Sequence, residues 1–100
     1  MIKHIVMWKL KENDKENDKF ENAKTIKNKL ESLKGVIPEI KYIEVGVNSE
    51  KFENNYDVVL ISEFDSFEDL DVYQKHPEHV KVGKFVKSVA EIRTAVDYEF

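Results

Sequence analysis

The sequence predicts an α+β fold in which four antiparallel strands form one sheet with helices packed against it. Three observations carry this. Four stretches rich in β-branched and aromatic residues lie at the two ends and in the middle of the chain. Between them, apolar residues recur at spacings of three and four, the period of an amphipathic helix. Punctuation is sparse, three Gly and two Pro in all, and apart from Gly46 it falls between these stretches.

Residues 2–10 read as the first strand, with Ile2, His4, Val6, Trp8 and Leu10 on one face and Ile5 and Met7 on the other. Residues 11–19 form a charge run expected to be solvated, with two copies of Lys-Glu-Asn-Asp. From about Asp14 the pattern turns helical, and Phe20, Ala23, Ile26, Leu30 and Leu33 make its apolar stripe. Gly35 ends that helix and Pro38 blocks its continuation. Residues 40–47 are the second strand, with Ile43, Val45 and Val47 on one face and Ile40, Tyr42 and Glu44 on the other. A polar loop, residues 48–55, leads to a third strand at 56–64, with Tyr56, Val58, Leu60 and Phe64 opposite Val59 and Ile61.

Ser66 with Asp69 three residues on is a helix start, and Phe67, Leu70 and Tyr73 are its expected buried stripe. Proline lacks a backbone N–H and disfavours helical geometry in the residue before it, so this helix should stop near His76 and another begin at Pro77. His79, Val82, Phe85, Val86 and Val89 then face inward, and His76 serves as a cap at the joint. Residues 91–99 make the last strand. The order β-α-β-β-α-α-β is a ferredoxin-like split βαβ arrangement with a divided second helix, one domain over residues 1–100.

Composition removes several function classes. Apolar residues at 41% and charged residues at 36% describe a globular protein rather than a disordered one. The net charge of −4, with basic residues scattered among acids, argues against a nucleic-acid surface. Without cysteine there is no disulfide, thiol nucleophile or thiolate metal site. The opening apolar run is interrupted by Lys3, His4 and Lys9, which argues against a signal peptide or a membrane span and makes the cytoplasm the default location. No metal is expected: His76 and His79 have a His-x-x-His spacing, but Pro77 turns the rings apart. Asp65, Asp69 and Asp71 could hold only an adventitious Mg²⁺.

Several segments together resemble the stress-responsive A/B barrel (Dabb) domain family. They are Ile2-Lys3-His4-Ile5-Val6-Met7-Trp8-Lys9-Leu10, Gly35-Val36-Ile37-Pro38, Val45-Gly46, Tyr56-Asp57, Phe64-Asp65-Ser66, Tyr73-x-x-His76-Pro77-x-His79 and Val96-Asp97-Tyr98-Glu99. The resemblance covers the whole chain in order and implies a dimeric α/β barrel. Some members resemble polyketide cyclases, in which a Tyr and a His of the Tyr-x-x-His-Pro-x-His segment act on substrate. That implies Tyr73 and His79 here, with His4 in the same cavity. At two cavity positions the chain departs from the cyclase pattern, carrying Leu30 in place of a tyrosine and Val58 in place of a histidine.

The residues themselves support a pocket edged by Tyr73, His79 and His4, with Val6, Trp8, Val58, Leu60 and Val82 as its apolar lining, to which the resemblance adds Leu30. Without any cofactor, His79 could act as a base and Tyr73 as a polarising donor toward a small hydrophobic or carbonyl compound. The structural alternative is that Tyr73 and His79 hydrogen-bond each other simply to satisfy buried polar atoms. Monooxygenases and haem-degrading enzymes share this architecture. Trp8 and His4 both lie on the first strand, however, which disfavours haem ligation. Ile5, Met7, Val59 and Ile61 form a second apolar sheet face that helices on one side leave open, so a homodimer through that face is expected.

Overall fold

The computed structural model describes residues 1–14 and 17–100. Four strands, β1 (Ile2–Leu10), β4 (Tyr42–Val47), β5 (Val58–Phe64) and β6 (Ala90–Glu99), form one antiparallel sheet in the order β4-β5-β1-β6. A small hairpin, β2 (Asn13–Asp14) with β3 (Asn17–Asp18), follows β1. Helices α1 (Lys19–Glu31), α2 (Phe67–Lys75) and α3 (Pro77–Val89) complete the ferredoxin-like α+β fold. Among the described residues, no helix is long and apolar enough to cross a membrane.

Alternation sets the core. On β1, Ile2, His4, Val6, Trp8 and Leu10 are buried, and their β5 neighbours in register, Phe64, Ser62, Leu60 and Val58, are buried with them. Helix α1 adds Ala23, Ile26 and Leu30 to this layer, and α3 adds Val82, Val86 and Val89. Fully burying a side chain such as Ile26 stabilises the fold by about 2 kcal/mol. On the reverse face Ile5, Val59 and Ile61 are only half-buried and Met7 is exposed, so an apolar surface stands open. Strand β6, at the sheet edge, is exposed along nearly its whole length.

Several local expectations shift. The first helix begins at Lys19 rather than Asp14, because the Asp18 carboxylate caps it by accepting the Glu21 N–H at 3.0 Å. The expected solvated run includes residues 15 and 16, which lie outside the described residues, while its last member, Lys19, is buried. Helix α1 passes into a 3-10 turn over Ser32–Gly35, which Leu33 anchors in the core. Strand β4 starts at Tyr42 instead of residue 40: Ile40 N–H closes a turn onto the Ile37 carbonyl, and Ile40 packs into the core from there. Val47, at the far end of the inward row, is exposed.

Strand β5 starts at Val58 rather than residue 56. Asp57 still donates its N–H to the Trp8 carbonyl, but its side chain takes the Leu10 N–H where a strand carbonyl would. Strand β6 begins one residue early, at Ala90. Phe67 leaves the predicted stripe and is exposed, because it is the first residue after the Ser66 cap; Leu70 and Tyr73 do face inward.

Candidate functional site

The joint between α2 and α3 is built by Pro77 and its neighbour. His76 is extended, with φ −60° and ψ 134°, and serves both helices at once. It closes α2 as its C-cap, and its Nδ1 accepts the Glu78 N–H at 3.1 Å to open α3. Because His76 supplies the break, the last turn of α2 and the first turn of α3 bring Tyr73 and His79 together. Their ring centroids lie 4.4 Å apart at an interplanar angle of 51°. His4, on β1, sits edge-on to Tyr73 with centroids 6.2 Å apart. Its Nδ1 is held by the Asp97 carboxylate from β6, its register partner.

His4 and His79 border a cavity of about 350 Å³ between the sheet and the helices. Val6, Trp8 and Leu60 rise from the sheet, Leu30 comes from α1, and Gly83 and Val86 come from α3. His4, Gln74, His79, Lys87 and Arg93 supply its polar groups. Of the residues expected from the sequence, the structure brings His4, Val6, Trp8, Leu30, Leu60 and His79 to the wall. Val58 and Val82 are buried in the core behind it, and Tyr73 packs wholly buried against the two imidazoles and Phe64. Gln74, Gly83, Val86, Lys87 and Arg93 were not anticipated as lining. Gly83 and Lys87 could have been: they stand four and eight residues beyond His79, on one helical face.

Tyr73 and His79 do not hydrogen-bond each other, as the structural alternative required. His79 Nδ1 lies 3.0 Å from the Gln74 carbonyl. A carbonyl only accepts, so Nδ1 carries the proton and Nε2 of the neutral ring keeps its lone pair. Burial lowers the basicity of His79, and the nearby His4 and Arg93 lower it further; the hydrogen bond to Gln74 opposes them and does not prevail. The ring is therefore neutral at pH 7, an acceptor rather than a cation. The Tyr73 hydroxyl is buried without a hydrogen-bond partner among the described residues. Burial raises its pKa well above the ordinary phenol value, so it stays a neutral donor.

Comparison with known proteins assigns the lineage. The family model for the stress responsive A/B barrel domain matches residues 2–100. A curated relative, the stress-response A/B barrel domain-containing protein DABB1 of Arabidopsis thaliana, is 30% identical over 101 residues, covering 98% of this chain. The chain spans 46% of that relative's length. A solved dimeric protein of unknown function with a ferredoxin-like fold from Bacteroides fragilis is 38% identical, with a TM-score of 0.88 over 99% of this chain and 95% of that one. A hydroxynitrile lyase from Passiflora edulis, 19% identical, has a TM-score of 0.77 over 97% of this chain and 90% of that one, a likeness of fold alone.

Proposed function

The chain belongs to the stress-responsive A/B barrel domain family, and from that premise we propose that its cavity binds a small, largely apolar compound. The observation that carries this is the meeting of unlike groups at one space. Apolar walls from Val6, Trp8, Leu30 and Leu60 enclose it, while neutral His79 stands at one side with Tyr73 packed against it from within the core. An apolar enclosure with a few convergent polar groups is the common form of a small-molecule site. Gly83 enlarges it, since a Cβ there would meet, its neighbours and the adjoining helix backbone aside, no atom of the described residues within 4 Å. The binding unit is a homodimer packed through the open sheet face of Ile5, Met7, Val59 and Ile61; the dimeric Bacteroides fragilis relative supports this.

Thermal-shift and NMR titrations with a panel of small aromatic and aliphatic carbonyl compounds test the proposal. Binders should shift the resonances of Trp8 and His79. Gly83→Leu, which fills the cavity, should abolish binding while the fold persists. Binding that survives Gly83→Leu would place the ligand elsewhere and end the proposal.

A second reading, cofactor-independent proton transfer, is favoured by one further observation: the Nδ1 anchor of His79 leaves Nε2 as a neutral base next to a neutral phenol. His79 would take a proton from a carbon acid, and the Tyr73 hydroxyl would donate a hydrogen bond to the oxygen that gains charge. Exchange of the α-hydrogens of 4-phenylbutan-2-one for deuterium in D₂O measures this directly. The rate should exceed the buffer rate and fall to it in His79→Ala; equal rates for the two proteins would leave binding as the sole function.

A further inference from the structure

The basic residues of this chain are lysines with one exception, Arg93. Acids outnumber bases, and many lysines find a carboxylate: Lys3 with Glu63, Lys27 with Glu31, Lys75 with Asp71 and Lys81 with Glu78. Arg93 and Lys87 differ from these. Both border the cavity, and neither has a hydrogen bond or ion pair among the described residues.

Separate elements deliver the two cations to one place. Arg93 is the register partner of Trp8, so it stands on the helix-facing side of β6 next to the cavity's aromatic wall. Lys87 lies eight residues after His79 and four after Gly83, on the cavity face of α3. The carboxylate four residues beyond Arg93 on the same face of β6, Asp97, is occupied by His4. Among the described residues, no carboxylate borders the cavity itself. Two cations at an apolar cavity, without acids of their own, are complementary to a ligand anion. A planar guanidinium matches a carboxylate in a two-point geometry, and a flexible ammonium adds a point charge.

We propose that Arg93 and Lys87 form an anion-binding end of this cavity and that its ligand is a small organic acid, with its apolar body against Val6, Trp8 and Leu60 and its carboxylate at the two cations. This rests on the reading of the cavity as a small-molecule site and specifies the class of molecule. Arg93 shares the cavity with His79, and its charge helps keep that ring neutral.

The test compares two probes of one shape, 3-phenylpropanoate and 3-phenylpropanamide, titrated into the full chain by calorimetry at neutral pH and low salt. The wild-type protein should prefer the acid by roughly tenfold or more. Arg93→Gln should erase that preference by weakening the acid more than the amide, and Lys87→Gln should reduce it. Both positions are exposed, and an unchanged thermal unfolding curve verifies that each variant is folded. Equal wild-type affinity for the two probes, or a preference that survives Arg93→Gln, overturns the anion-binding end and leaves the small-molecule reading intact. Binding of neither probe counts against both.

Discussion

At its two ends β1 meets buried polar groups handled in opposite ways. Near Leu10, the Asp57 carboxylate receives the Leu10 N–H at 2.8 Å, and the Lys19 ammonium lies 3.7 Å from Asp57 and 3.3 Å from Glu12. These groups border a polar depression of about 390 Å³. For Lys19, burial opposes the charge, but the hydrogen bond to Glu12 and the charge of Asp57 outweigh it and raise the pKa. Near His4, the Tyr73 hydroxyl is just as enclosed and has no partner among the described residues, and His79 is held neutral. The depression near Leu10 is slightly the larger, yet its polar groups satisfy one another and tie β5 to β1. Polar groups that answer each other maintain the fold, whereas the Tyr73 hydroxyl, unanswered among the described residues, adds no such tie.

Substitutions at the two ends should separate these roles. Asp57→Ala strands the Leu10 N–H and leaves Lys19 short of a counter-charge, so urea denaturation should show a loss of about 3 kcal/mol. A loss under about 1 kcal/mol would mean that the paired end contributes little more than a surface ion pair and would erase the contrast. At the other end, Gly83→Ala should gain up to about 1 kcal/mol, because alanine favours the helix and its methyl group enters open space. Destabilisation on the same assay would show that the cavity is closed at that point. Smaller still is Tyr73→Phe. Removing a hydroxyl with no protein partner should leave stability within about 0.5 kcal/mol of wild type while weakening any ligand that takes its hydrogen bond. A large loss of stability would put Tyr73 among the structural polar groups.

The smallest effect is the pH dependence due to His79. Its folded pKa lies below the ordinary value of 6.5. Well above that value both states hold it neutral, and it adds no pH dependence. As pH falls through 6.5 the unfolded chain binds the proton first, so stability declines until the folded ring protonates too. Between pH 7.5 and 5.5 the wild-type protein should therefore lose more stability than His79→Gln in parallel denaturant titrations. Identical slopes would show that the ring is as easily protonated folded as unfolded.

Much of this architecture was legible from local pattern alone. Alternation along β1 marked Val6 and Trp8 as partners of His4, and spacing by three and four placed Val82, Val86 and Val89 on one side of α3. The proline at 77 marked the joint that brings Tyr73 to His79. Such features follow from backbone geometry, since residues two apart on a strand or three to four apart on a helix must share a face. Element ends were less legible. Asp18 and Asp57 use their side chains in place of backbone partners, and polar composition does not reveal which oxygen meets which N–H.

The sequence by itself determined the element types, their order, the helix joint and the two histidines with a tyrosine that gather near it. Only the tertiary structure decided that Asp97 holds His4 across 93 residues of chain, that Arg93 stands beside Trp8, and that Tyr73 is left without a partner. The first two depend on sheet register and the third on how α2 packs, and register is chosen by the packing of the whole inner face. A slip of one residue would turn every β6 side chain to the opposite side, and no local run of residues records that choice.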